Sequence, residues 1–171
     1  MHVRLSAEAS RILEPQGVGD LGDGDAVQGF RELLDGGWFR DDEGAVLIRQ
    51  LFQGYFGERS RFANVAGYES AVNGRAIPDL DIDPGVVGVE RTRILLSRGI
   101  GLARYALRRL EGDVPGATVA GYVSVSPSLM DPEFWTGNLT FISYPPESGP
   151  QINVEAASGV LARVDSDESA C

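Results

Sequence analysis

The chain has 171 residues, and its 25 acidic side chains outnumber 15 arginines, which gives a formal net charge of −10. This length fits one well-packed domain, and a hydrophobic content of 43% excludes wholesale disorder. The chain contains no lysine, which is typical of a GC-rich bacterial genome and excludes both Schiff-base catalysis and a phosphate-loop lysine. Because the histidine is His2 and the cysteine is Cys171, the sequence also disfavours a histidine triad and excludes an internal disulfide or a Cys/His zinc cage.

The first two predicted helices lie in the N-terminal 37 residues. Residues 6–14 form the first, which ends before Pro15 because proline cannot continue a helix. The second begins after Asp25, whose carboxylate can accept from free amides of the first turn, and it ends at Gly36-Gly37. The side chains expected on its inner face are Phe30, Leu33 and Leu34.

A third helix is predicted from Asp41 or Asp42 to about Phe56, because one broad face of this segment is apolar. That face consists of Leu47, Ile48, Leu51, Phe52, Tyr55 and Phe56. The preceding Trp38-Phe39 pair is interpreted as an anchor of the core. Residues 58–88 have no clear period, and an unpatterned stretch of this length usually contains a short strand or helix.

The clearest element is a long amphipathic helix from about residue 89 to 110. Its predicted buried stripe is Val89, Leu96, Ile100, Ala103, Leu107 and Leu110. Its arginines lie off this stripe and are expected in solvent: Arg91, Arg93, Arg98, Arg104, Arg108 and Arg109.

After residue 116 the apolar period changes to two, which predicts strands. The predicted strands are 117–126, 138–144, 151–155 and 160–164, with Val119, Val123 and Val125 on one face of the first. Helices followed by consecutive strands indicate an α+β fold, in which N-terminal helices and the long helix pack on a C-terminal antiparallel β-meander. We expect a single domain over residues 1–164 and an acidic disordered tail over 165–171.

Residues 17–22 match the dinucleotide-binding pattern G-x-G-x-x-G. That mechanism needs a preceding strand, whereas a helix is predicted here, and Asp20, Asp23 and Asp25 would repel phosphate. We interpret the segment as a surface loop.

The segment from Asp79 to Glu90 is a candidate cation site. Asp79, Asp81 and Asp83 alternate, and Glu90 occupies the twelfth position of a loop that resembles an EF-hand calcium loop over these residues alone. However, Pro84 stands where that loop needs glycine. A weak Ca²⁺ or Mg²⁺ site and a metal-free aspartate-rich turn before a helix are both compatible with this segment; no other cofactor is predicted.

Two surfaces are candidates for partner binding. Arg104 and Arg108 are like charges one helical turn apart, so either acids of the same chain or an acidic partner should lie between them. The loop 127–137 contains Leu129, Met130, Phe134 and Trp135, which are costly to expose to water. This loop either folds back over the core or docks on a partner or ligand.

Two functions are the main candidates from sequence, and a third, a metal-stabilised structural subunit, depends on the Asp79–Glu90 segment. The first is an acidic binder of another protein, immunity- or antitoxin-like or a scaffold subunit, with a basic partner favoured by charge and homo-oligomers also compatible. The second is a small-molecule enzyme or binding protein of the cyclase or isomerase type, by fold analogy, with Asp, Glu or Tyr as acid–base groups. The candidates to line its pocket are Tyr68, Glu69, Tyr122 and Tyr144.

The expected location is the cytoplasm. The first residues lack the basic start and apolar run of a secretory signal, and no stretch approaches the ~18 apolar residues of a membrane span. The net negative charge disfavours nucleic-acid binding.

Overall fold

The computed structural model of the protein describes residues 1–14 and 28–166. The glycine-rich segment 17–22 and the predicted cap Asp25 lie outside these residues. The elements in chain order are β1 (His2–Leu5), α1 (Ala7–Leu13), α2 (Gln28–Asp35), β2 (Trp38–Arg40), β3 (Val46–Ile48), α3 (Arg49–Gln53), a 3-10 turn (Arg59–Arg61), α4 (Val65–Asn73), β4 (Arg75–Ala76), α5 (Gly88–Leu107), α6 (Leu110–Asp113), β5 (Val119–Pro127), β6 (Trp135–Ser143) and β7 (Val160–Asp165). In the described ranges, no helix is long and apolar enough to cross a membrane.

The predicted α+β class is confirmed by a five-stranded antiparallel sheet with the order β1-β7-β5-β6-β4. β5 and β6 form a hairpin, while β7 pairs with β5 on the other side instead of following β6 as in a simple meander. β5 is therefore the central strand. Its residues Val119, Val123 and Val125 are buried on one face, as predicted.

The long predicted helix is confirmed as α5, which packs on β5, β6 and β7. Most of its predicted stripe is buried, but Val89 in the first turn is exposed. The packing distance is short because Gly99 faces the sheet: a Cβ at this position would lie 2.5 Å from Val123 Cγ1. Gly121 on β5 likewise faces Ala103 of α5, so small residues on both sides set the separation.

The first helix is confirmed as α1, and Ser6 caps it by accepting from the amide of Ala9 at 3.2 Å. The preceding strand β1 was not predicted; it pairs with β7 at the edge of the sheet. The second helix is confirmed as α2, with Leu34 buried, whereas Leu33 is partly exposed and does not belong to the inner face.

The prediction of a helix from residue 41 to 56 is wrong. β2 and β3 form a two-stranded hairpin there, and helix remains only in α3. The reason is a turn: the Asp41 carboxylate accepts from the amides of Glu43 and Ala45, and Gly44 has a φ of 89°, which a helix cannot contain. Trp38 is the predicted core anchor, and its indole N–H donates to the carbonyl of Ala106 at 2.9 Å.

The unpatterned segment contains a regular helix, α4, followed by the short strand β4. Asn64 caps α4 by accepting from the amide of Gly67 at 2.8 Å. β4 pairs with β6 through only two residues, so most of the edge of β6 needs other hydrogen-bond partners.

The face of the sheet opposite α5 is covered by residues 144–159. Tyr122, Tyr144 and Val154 form a small buried cluster there. The strand predicted at 151–155 is not formed, because the Asn153 side chain accepts from the amide of Glu155 and closes a local turn. β7 includes the buried Asp165, one residue beyond the predicted domain end, and residues 167–171 of the predicted tail lie outside the described residues.

Candidate functional site

The connection between β5 and β6 presents apolar side chains to solvent. The loop is closed by the Ser128 amide, which donates to the carbonyl of Phe134 at 2.7 Å. Leu129 and Met130 are fully or nearly fully exposed, and Phe134 is 38% exposed, whereas Trp135 packs against the main core. Of these four side chains, only Trp135 therefore folds back against the main core.

A buried arginine of α5 contacts this loop on its inner side. Arg91 is only 2% exposed, which corrects its predicted place on the solvent face of α5. Its guanidinium lies 4.0 Å from the centre of the Phe134 ring, and it donates to the carbonyl of Trp135 at 2.8 Å and to Asp79 at 2.5 Å. Arg91 therefore joins the hairpin loop to the segment that precedes α5.

The carboxylates predicted as a cation site are paired with separate arginines of α5. Asp83 instead accepts from the amide of Gly85 in a local turn. The Arg98 guanidinium holds the pKa of Asp81 below its ordinary value by hydrogen bonding, and Arg93 does the same for Glu90. The ion pairs are Asp79–Arg91, Asp81–Arg98 and Glu90–Arg93. In residues 1–14 and 28–166, no group of three or more His, Cys, Asp or Glu side chains could hold a metal ion.

Four of the exposed apolar side chains lie on two segments at one end of the sheet. Ile77 donates from its amide to Gly137, so the chain after it runs past the start of β6 towards the hairpin loop. We call the resulting patch the hairpin-end surface; it consists of Leu80, Leu129, Met130 and Phe134. Three further carboxylates in the same two segments are Asp83, Asp131 and Glu133. The ion pairs of the described residues do not include these three.

The other predicted partner-binding residues lie elsewhere. Arg104 lies in the last turn of α5, and the exposed Arg108 is the C-cap of the same helix. At ~1.5 Å per residue, Arg108 is about 25 Å along the helix axis from Arg91. The structure therefore does not bring these two arginines to the hairpin-end surface.

A different polar cluster, centred on α4, contains a residue predicted to line a pocket. Glu69 is fully buried, and its carboxylate accepts from the amides of Val46 and Ser143 and from the Ser143 hydroxyl, each at 2.7 Å. Burial raises the pKa of Glu69, while the hydrogen bonds from Val46 and Ser143 and the charge of Arg40 oppose this rise. Glu69 thus bonds the edge of β3 to the edge of β6.

Asn73, one turn further along α4, makes the same connection, and sequence reasoning missed its role. Its side-chain oxygen accepts from the amide of Ile48 at 3.0 Å, and its nitrogen donates to the carbonyls of Val46 and Phe141 at 3.0 and 3.2 Å. The signal available in the sequence was a Glu and an Asn four residues apart, which share a face of a helix. Together, Glu69 and Asn73 fix the small hairpin against the main sheet.

A cavity of about 500 Å³ opens where these two sheets meet. Its polar lining includes Arg40 of β2, Ser143 of β6 and Thr118 just before β5. Of the four residues predicted to line a pocket, Tyr144 lies in the wall and Glu69 lies behind Ser143. Tyr68 packs with Arg59 over its ring, and Tyr122 belongs to the cluster on the far face of the sheet.

Comparisons of the chain with protein families, with curated proteins and with solved structures found no match.

Proposed function

We propose that the chain acts by binding another protein through the hairpin-end surface, and that this partner presents an apolar contact surrounded by basic side chains. The supporting observation is the group of large apolar side chains that project from two neighbouring segments while Arg91 holds those segments together. Burying one such side chain in a partner contributes about 1.5–3 kcal/mol. A supported, ordered surface loses less entropy on binding than a flexible loop.

The charge around this surface supports a basic partner. Asp83, Asp131 and Glu133 add negative charge beside the apolar side chains, and the whole chain carries −10. Opposite charge on the partner would speed the encounter. Two copies of this chain would bring the same carboxylates together, which disfavours self-association through this surface. The proposal fits an immunity- or antitoxin-like binder or an assembly subunit of the cytoplasm.

The test is site-directed photo-crosslinking in cells of the source organism. A photoreactive residue replaces Met130 in one strain and Phe56 in a matched control strain. Met130 is 94% exposed in the β5–β6 loop, and Phe56 is 97% exposed in the segment after α3. We expect a crosslinked protein with a basic surface at position 130 and not at position 56. Equal crosslinking at both positions would contradict the proposal.

The crosslinked protein is then purified and its affinity measured by calorimetry. Leu129→Asp should weaken binding roughly tenfold or more, because it buries a charge in the apolar contact, and added salt should slow association. Phe56→Asp is the control and should have no effect. Binding that is unchanged by Leu129→Asp, or light scattering that shows a dimer broken by the same substitution, would refute a basic foreign partner.

A further inference from the structure

The cavity between the two sheets has a fixed distribution of donors and acceptors. The Ser143 hydroxyl donates to the carboxylate of Glu69, and the Thr118 hydroxyl donates to the carbonyl of Tyr144. Carboxylates and carbonyls cannot donate, so each hydroxyl has committed its one proton. Towards a ligand in the cavity, Ser143 and Thr118 therefore offer only acceptor oxygens.

Arg40 supplies hydrogen-bond donors and a positive charge to the same cavity. Its guanidinium donates to the carbonyl of Gly44 and retains further N–H groups, because arginine has five donors and no acceptor. The ion pairs of the described residues do not include Arg40, although the chain has ten more acids than bases. Arg40 can therefore provide a positive charge for an anionic group in the cavity.

Most of the remaining wall is apolar, apart from the side-chain amides of Asn64 and Gln151, and the size suits a small molecule. Val65, Ala66, Ala117, Pro145 and Pro146 line the cavity, and its volume of about 500 Å³ lies in the range of small-ligand sites. Behind Ser143, the buried Glu69 adds negative charge on the side of the acceptor oxygens.

We infer that this cavity binds a small zwitterion, an amino acid or dipeptide with an apolar side chain. The ligand carboxylate pairs with Arg40, its ammonium donates to the hydroxyl oxygens of Ser143 and Thr118, and its side chain contacts the apolar wall. A plain carboxylic acid lacks the donors for the hydroxyls, and a plain amine would be repelled by Arg40. Glu69 and Asn73 fix Arg40 and Ser143 relative to each other before the ligand arrives.

The inference is tested by following backbone amide resonances by NMR during ligand titrations. The probes are L-leucine and leucyl-glycine, which distinguish a free amino acid from a dipeptide, and the matched analogues are N-acetyl-leucine without the ammonium and leucinamide without the carboxylate. We expect saturable shifts at Ser143 and Thr118 with leucine or leucyl-glycine, and binding at least roughly tenfold weaker for both analogues.

Arg40→Gln is the decisive variant, because Arg40 is exposed and its loss should leave the fold intact. It should weaken leucine binding roughly tenfold or more, whereas Arg11→Gln on the exposed face of α1 should not change it. Three results would overturn the inference. They are the absence of a saturable shift with either zwitterion, analogues that bind as tightly as leucine, or an affinity for leucine that Arg40→Gln leaves unchanged. Ser143→Ala serves as a second variant, read only after its unfolding curve matches that of the wild type.

Discussion

The connection that α4 makes between the two sheets predicts a large effect for Asn73→Asp. Aspartate keeps the acceptor for the Ile48 amide but replaces the donor to the carbonyls of Val46 and Phe141 by an oxygen. Losing two net hydrogen bonds costs about 1–3 kcal/mol, and leaving an uncompensated charge in a buried network costs about 3–5 kcal/mol. Both costs arise from the same contacts and are therefore not added, so the larger one sets the expected loss of roughly 3–5 kcal/mol at pH 7.

The measurement is urea unfolding followed by tryptophan fluorescence, which reports on this region because Trp38 lies 5.3 Å from Phe141 between ring centres. Asn153→Asp is the matched control: Asn153 is exposed and only accepts hydrogen bonds, from the amides of Glu155 and Ala156, so aspartate preserves them. Its stability should stay within about 0.5 kcal/mol of wild type. The loss at position 73 should also shrink at low pH, where the protonated carboxyl can donate again. Equal midpoints for the two variants would refute the connecting role of Asn73.

Three further predictions concern packing, pH and metal. In the same urea assay, Gly99→Ala should destabilise the protein by about 1–3 kcal/mol, because its Cβ would lie 2.5 Å from Val123 Cγ1. Gly112→Ala in α6 is the control: its Cβ would meet nothing within 4 Å, so the substitution should be neutral or slightly stabilising. Because Arg98 lowers the folded-state pKa of Asp81, this pair stabilises the fold above the unfolded pKa of about 3.9, and the contribution is lost as pH falls through the lower folded value. Asp81→Asn should therefore be less stable than wild type at pH 7 and should converge with it in acid; an unchanged pH profile would contradict the pairing. Millimolar Ca²⁺ should leave the melting temperature unchanged, since a cation would have to displace the arginines paired with Asp79, Asp81 and Glu90; a rise that Asp81→Ala abolishes would restore the cation-site hypothesis.

Sequence periodicity predicted the elements that bury one regular face in the main core. α5 has a stripe at helical spacing because one side of it lies on the sheet, and β5 alternates because Val119, Val123 and Val125 face α5. In both cases burial follows from hydrophobicity alone, so the pattern and the structure agree.

The same reasoning failed where polar side chains face inward. α4 has no clear apolar stripe, because Glu69 and Asn73 occupy its inner face and bond the edges of β3 and β6. A pattern that assigns polar residues to solvent cannot find such a helix. Arg91 was predicted in solvent for the same reason. In the structure, Asp79 neutralises its charge and the ring of Phe134 covers it.

The short strands β2 and β3 were not predicted, for a different reason. β2 and β3 have three residues each, too few for a period, and the apolar residues 46–48 also fit a helical face. The deciding information was the turn, which depends on the Asp41 carboxylate and on the positive φ of Gly44 and not on the hydrophobic pattern.

The hairpin-end surface and the cavity lie at opposite ends of β6, which begins at Trp135 and ends at Ser143. At ~3.4 Å per residue this separates them by about 27 Å. Coupling between sites must be reciprocal: if leucine tightens partner binding, the partner must tighten leucine binding by the same factor. A Cβ on Gly121 would lie 3.0 Å from Ala103 and 3.1 Å from Phe141, so the sheet between the two sites is closely packed, and closely packed interiors deform little. We therefore expect Leu129→Asp to leave leucine binding unchanged and Arg40→Gln to leave partner binding unchanged, and a shift in either cross-measurement would show that β6 transmits a change between the two sites.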